Sequence, residues 1–163
     1  QFASQVDFFL NLTHVQVHRR SKALIRLKTV LESAEGESIG QGSLVNVLMP
    51  LASHPLHETV KNSEINVALS AVSAIGAISK RLTWGKYHGV LHSLLVQIPR
   101  CDRAKVEGAE KERYLIGALC AVLDGFHFEI GGCNGDDESD KIKPQLTKII
   151  GLVDALTTVQ KVS

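Results

Sequence analysis

Ala23-Leu24-Ile25-Arg26-Leu27-Lys28-Thr29-Val30-Leu31 carries an apolar pattern that returns at Ala71–Ser79 and again at Ala118–Phe126, at offsets of 48 and then 47 residues. Ala23, Ala71 and Ala118 fall in register, as do Leu24, Val72 and Leu119, and then Leu27, Ile75 and Val122. A stripe at i, i+1 and i+4 is one face of a helix. A period in the high forties is the length of two packed helices and their turns. Such a unit cannot bury its own apolar face, so it must stack on neighbours. The pattern therefore predicts an all-α, HEAT/armadillo-like α-solenoid segment of about three to four helix pairs. An array of that kind offers surface and requires no closed cavity.

Working outward, Ser4 followed by Asp7 has capping-box spacing and places a first helix over Gln5–Leu12, with a break near Thr13–Val17. The helix of the first stripe then runs to about Ser33 and is ended by the glycine-bearing Ala34–Gly40. Leu44, Val45, Leu48, Leu51 and Ala52 make the next apolar face, and Pro50 inside it is expected to kink or end the helix, because its ring removes a donor and presses on the preceding turn. Asn62 or Ser63 caps a helix through Leu82 whose modest propensity burial must offset. Thr83 caps the next one, with Tyr87, Val90, Leu91, Leu94, Leu95 and Ile98 on one side and Pro99 at its end. A further helix spans about Ala104–Phe126, polar at first and interior from Tyr114 to Leu123, and a last one covers Pro144–Val159. Residues 129–141, glycine-rich and acidic, read as a flexible loop. No stretch alternates with period two between turn residues, which argues against strands.

Apolar residues at 44% and charged residues at 21% exclude a disordered chain. The net charge of +1 says little about partners, but its distribution is uneven. Residues 1–31 carry Arg19, Arg20, Lys22, Arg26 and Lys28 against Asp7, whereas Glu129–Asp140 holds five acids and no base. Cys101, Cys120 and Cys133 are odd in number and form no C-x-x-C pair, so neither a disulfide framework nor a structural zinc site is indicated, and a reducing compartment fits. Ile65–Ser79 is too short and too polar to span a bilayer and reads as a helix buried between others. The chain has no initiating Met and no basic-then-apolar leader, and reads as a piece of something longer.

The candidates for chemistry are few. His14 and His18 are four apart, as are His88 and His92, which can put two imidazoles on one helix face. Neither pair brings a third ligand or an acidic general base, so packing or surface histidines are the simpler account and no metal is expected. No G-x-S-x-G elbow marks a nucleophile. Gly40-Gln41-Gly42-Ser43 precedes a helix but lacks the preceding strand and following lysine of a phosphate loop. Asn11-Leu12-Thr13 matches a glycosylation triplet inside a helix and reads as accidental. No catalytic residue and no cofactor is expected. Trp84, Tyr87, Phe126 and Phe128 stand among Leu and Val, the setting of core packing more than of base stacking.

The basic cluster is the one candidate binding site. Arg19, Lys22 and Arg26 lie at i, i+3 and i+7 on one helix face, with Arg20 beside them and Lys28 further around. This face suits RNA backbone phosphates or an acidic protein segment through charge-assisted contacts. The competing account is the solvated side of an amphipathic helix.

Asp7-Phe8-Phe9-Leu10-Asn11-Leu12-Thr13-His14-Val15-Gln16-Val17-His18-Arg19-Arg20-Ser21-Lys22-Ala23-Leu24 resembles a stretch of the very large HEAT-repeat scaffold of the small-subunit processome, the family also called down-regulated in metastasis. Leu82-Thr83-Trp84-x-x-Tyr87-x-x-x-Leu91 and Leu123-Asp124-x-Phe126-His127-Phe128 follow in the family's order, so the resemblance covers about residues 7–128. It implies a nucleolar helical-repeat protein that assembles with processome proteins and supports processing toward the small-subunit ribosomal RNA. It implies no catalytic residue, no small-molecule substrate and no membrane. It supplies no defined set of RNA-contacting residues, though Arg19 and Arg20 match its motif. Repeat geometry alone equally permits a HEAT-type adaptor or transport-receptor segment. A small helical enzyme would need a cluster of titratable groups in a pocket, which the sequence does not display.

Overall fold

The computed structural model describes residues 10–12, 14, 16–57 and 65–125, together with 147, 150, 151 and 154. The expected Ser4 and Asn62/Ser63 caps and the expected loop over 129–141 lie outside the described residues. The chain divides into two units, Gln1–Phe126 and His127–Ser163. In the second, Thr147, Ile150, Gly151 and Asp154 are helical, within the last helix expected from the sequence. In the first, the longer described helices are α1 (Val17–Glu32), α2 (Met49–His57), α3 (Ile65–Ser79), α4 (Trp84–Gln97) and α5 (Val106–Asp124). Among the described residues there is no strand, and the fold is all-α.

The three register-matched stripes become the core. Ala23, Ala71 and Ala118 are all buried, as are Leu24 and Leu119, and Leu27, Ile75 and Val122. Each buried Leu or Ile of this set contributes roughly 2 kcal/mol of apolar transfer free energy. The helices that carry the stripes pack side by side, α1 on α3 and α3 on α5. They run parallel: Gly76 faces Ala121 and Gly117 faces Val72 at one constant offset, while Ser21 meets Ser70 and Arg81 meets Leu31 and Ser33. α2 packs on α3, and α4 packs on α5. Both are antiparallel to the helix they cover, because Gln41 at the start of the α2 arm reaches Arg81 past the end of α3, and Tyr87 near the start of α4 reaches Val122 near the end of α5. It follows that α2 and α4 are parallel to each other and make a second row over the first.

Small side chains make the first row close-packed. Ala68, Ala71, Ala74, Gly76 and Ala77 of α3 are all buried, and a Cβ on Gly76 would lie 3.1 Å from the Ala121 Cβ. The Asn, Ser, Val, Ile and Gly residues of α3 are modest helix formers, so burial against its neighbours supplies what they do not. Ser79, wholly buried, satisfies its hydroxyl by donating to the Ile75 carbonyl at 2.8 Å.

Side chains tie the ends of the helices together. Ser33 closes α1 by donating both its N–H and its hydroxyl to the Val30 carbonyl, at 3.1 and 2.7 Å. Arg81, in the turn after α3, donates its Nε to the Leu31 carbonyl at 2.9 Å and an Nη to that of Ser33 at 3.0 Å. A cation on the last carbonyls of a helix also complements the negative end of its dipole. Gln41 uses both ends of its amide: Nε2 donates to the Arg81 carbonyl at 2.6 Å, and Oε1 accepts the Thr83 N–H at 2.9 Å. Thr83 stands at the N-cap of α4 as expected, but with no capping bond from its side chain.

Two expectations are corrected. Of the kink or end expected at Pro50, the end does not occur, and the helix continues to His57. Leu44–Leu48, immediately before it, is a π-helical turn, whose i→i+5 bonding widens the backbone where the proline ring would otherwise press on the carbonyl four residues back. Nor is α5 interior all round from Tyr114 to Leu123: Leu115, Ala118, Leu119 and Val122 are buried, the residues between them are half-buried, and Cys120 is exposed. In its polar first half Glu112 is the surprise, buried and accepting from Arg103 Nε at 2.8 Å and Nη2 at 2.5 Å.

Tyr87 illustrates how deeply the second row is seated. It is 3% exposed, donates its hydroxyl to the Val122 carbonyl at 2.7 Å, and stacks on Trp84 at 6.0 Å between ring centres. Burial pushes its phenol up to about 12. A phenol that holds its proton more tightly in the folded state stabilises the fold fully below its ordinary pKa, near 10, and the contribution is lost as pH rises through the folded value. The melting temperature should therefore fall between about pH 10 and 12, and fall less steeply in Tyr87→Phe, by circular dichroism at fixed ionic strength.

Candidate binding surfaces

A surface helix separates its faces by 100° per residue, so residues 19, 22 and 26 of α1 share a side. The structure brings Arg19, Lys22 and Arg26 together there, all exposed. With His18, Asn11 and the edge of Ala23 they line a shallow depression of about 380 Å³, and no carboxylate belongs to it among the described residues. His14 borders it, its Nδ1 accepting the Gln16 N–H at 3.0 Å and its Nε2 lying 3.4 Å from Arg19 Nη1. Cations this exposed present donors that a polyanion can take up in charge-assisted bonds.

Arg20 does not belong to this face, contrary to expectation. It is 8% exposed and sits with Ala23, Leu24, Leu27 and Leu31 on the buried side. The signal was present in the sequence: Arg20 precedes Leu24, Leu27 and Leu31 by four, seven and eleven residues, the spacing of the core stripe itself. Lys28 turns away as well, half-buried and 4.0 Å from Glu32.

The second surface is apolar. Between α2 and α4 runs a groove of about 320 Å³ with Met49 and Leu56 on one wall, Val90 and Leu94 on the other, and Ile75 and Leu115 at its floor. Lys86 and His57 also line it. Burial in the first place, then the charges of Lys111 and His54, hold the His57 imidazole below its ordinary pKa. Sequence reading missed this groove, since it arises from what two helices distant in the chain leave between them. The one local hint was Gly89, a poor helix former in the middle of α4.

The other candidates are occupied by structure. His88 and His92 stack their rings nearly parallel at 6.5 Å along α4, and His88 also lies against Trp84. Among the described residues no three His, Cys, Asp or Glu side chains converge so as to hold a metal ion. Gly40-Gln41-Gly42-Ser43 is the hinge from which Gln41 reaches Arg81 and Thr83, a structural duty. Burial pushes the Cys101 thiol up, away from thiolate reactivity. No helix among the described residues is long and apolar enough to cross a membrane.

The chain is similar to the U3 small nucleolar RNA-associated protein 20 of Saccharomyces cerevisiae, with 26% identity over 169 residues. The likeness is distant but nearly complete on this side. It takes in 96% of this chain and 6% of the yeast protein, so the chain corresponds in length to a small part of that relative. No protein-family model matches. No solved structure matches.

Proposed function

We propose that this chain is a non-catalytic scaffold segment of a nucleolar ribosome-biogenesis factor. Its helix pairs stack as HEAT-type repeats and offer surfaces on which small-subunit processome proteins, and pre-ribosomal RNA, assemble. The observation that carries the reading is the burial of Ala23, Ala71 and Ala118 at matched positions of three parallel helices, the arrangement that repetition of one helix pair produces. The likeness to a U3 small nucleolar RNA-associated protein, running through almost the whole chain, supports the ribosomal assignment.

The test is purification of the tagged full-length protein from its own cells, with sequencing of the bound RNA. Enrichment of small-subunit precursor RNA is the expected result. Recovery with transport cargo and no pre-ribosomal RNA would move the chain to the adaptor reading and end this one.

Within this function Arg19, Lys22 and Arg26 bind RNA backbone phosphates. Arg19→Glu with Arg26→Glu should weaken binding of a pre-ribosomal RNA fragment by roughly tenfold or more and reduce the slope of log K against log salt by at least about one, since each phosphate contact releases counterions. The side chains are exposed, so the melting temperature should hold. Unchanged RNA affinity with an intact fold would reject the face. Loss of an acidic protein from the purified complexes, with RNA affinity unaltered, would assign it to protein instead.

A further inference from the structure

The groove between α2 and α4 has a length, a polarity and an orientation that together specify what fits it. Its α4 wall, from Lys86 to Gln97, extends about 16 Å at 1.5 Å of rise per residue. Because α2 and α4 are parallel, the Val45 and Met49 end of one wall lies beside the Lys86 end of the other, and Leu56 and His57 lie toward Gln97. Lys86 therefore stands at one end of an apolar slot, Lys111 lies near enough to His57 at the other to act on its charge, and no carboxylate lines the slot among the described residues. The middle of the α4 wall is notched: apart from the adjoining residues and backbone of its own helix, nothing lies within 4 Å of the point a Cβ on Gly89 would occupy.

We propose that this slot docks an amphipathic acidic segment of a partner protein, its apolar side chains seated between α2 and α4 and its carboxylates meeting Lys86 at one end and Lys111, near the neutral His57, at the other. Apolar anchors between the helices supply the binding energy, and the cations choose the sign of the partner and its register. An RNA strand fits poorly, since the walls between the two ends present Met49, Val90 and Leu94 where phosphates would need donors. A basic amphipathic helix would fill the same space but set like charges against Lys86 and Lys111. The depression on α1 is the reverse case, polar and cationic without apolar walls. The proposal stands apart from the ribosomal reading and survives its failure.

The test uses the whole 163-residue chain and fluorescence anisotropy with two labelled peptides, each of about three helical turns. Both carry Leu at i, i+3, i+4 and i+7, with Glu at the other positions in one and Lys in the second. The Glu peptide should bind saturably and the Lys peptide roughly tenfold more weakly. Gly89→Trp, which fills the notch, should weaken the Glu peptide by roughly tenfold, and Ser93→Trp on the same exposed wall is the second block should the first lower the melting temperature. Lys86→Glu should weaken it severalfold and flatten its salt dependence. Arg19→Glu with Arg26→Glu should leave it unchanged. Equal affinity for the two peptides, absence of saturable binding, or indifference to both tryptophans would overturn the proposal. So would loss of the Glu peptide in the Arg19/Arg26 variant alone, since that places it on α1.

Discussion

Replacing Gly76 with leucine should lower the melting temperature by roughly 6–12 °C, the shift that about 3 kcal/mol produces in a chain of this size. At Gly76 a single added carbon already comes within 3.1 Å of the Ala121 Cβ and 3.4 Å of its carbonyl oxygen. A leucine needs three carbons more, and only separating α3 from α5 makes room. Separation costs twice, because Ile75, Ile78, Ala118 and Val122 lose burial along the same seam. The companion variant gives the argument its sign. In Gly76→Ala the neighbour must yield by a few tenths of an ångström, while the helix gains about 1 kcal/mol of propensity. Alanine should therefore change the melting temperature by no more than a few degrees. Equal losses for alanine and leucine would mean that the seam tolerates no side chain at all. No loss for leucine would mean that α3 and α5 are not held at this distance in solution.

Arg81→Ala should cost about 2–3 kcal/mol, close to the Gly76→Leu effect but for a polar reason. The guanidinium binds the carbonyls of Leu31 and Ser33 through several N–H groups at once. Alanine leaves those carbonyls, at the negative end of the α1 dipole, without that donor. Because the side chain is half-buried, solvent screens part of the charge and holds the loss to this range. Arg81→Lys should recover less than half of it, since an ammonium has no planar fork with which to span both carbonyls. Chemical denaturation monitored at α-helical ellipticity reads all three proteins. Full rescue by lysine would show that only the charge matters.

Periodicity disclosed the all-α class and the alanine register because burial in a stacked helix is a local property of spacing: Ala71 and Ile75 are core for the same reason that Ala23 and Leu27 are. The same logic placed Tyr87 inside. What spacing could not disclose were bonds that exist only after stacking. Arg81 and Leu31 are fifty residues apart, and Gln41 and Arg81 forty. Nothing local marks either pair. The π turn at Leu44–Leu48 was illegible for a different reason, since an apolar run reads alike in both helix types. It lets the helix run on past Pro50 instead of ending there. Of the basic cluster, Arg19, Lys22 and Arg26 came together as spacing required. Arg20 did not, because one residue on from Arg19 the helix has already turned 100° toward the core stripe of Leu24, Leu27 and Leu31. The groove beside Gly89 was beyond reach, belonging to two helices of different pairs.

Arg81 and Gln41 have a consequence for how the molecule comes apart. The last turn of α1 is held from beyond α3, and that same hinge is gripped from ahead of α2, so loosening either helix withdraws partners from the other. Peeling away α1 by itself would strand the guanidinium, and melting the hinge would free the end of α1. Opening should consequently be concerted, with the amides of α1 and α3 exchanging their hydrogens at one common free energy and no separate, easier event at the edge of the row.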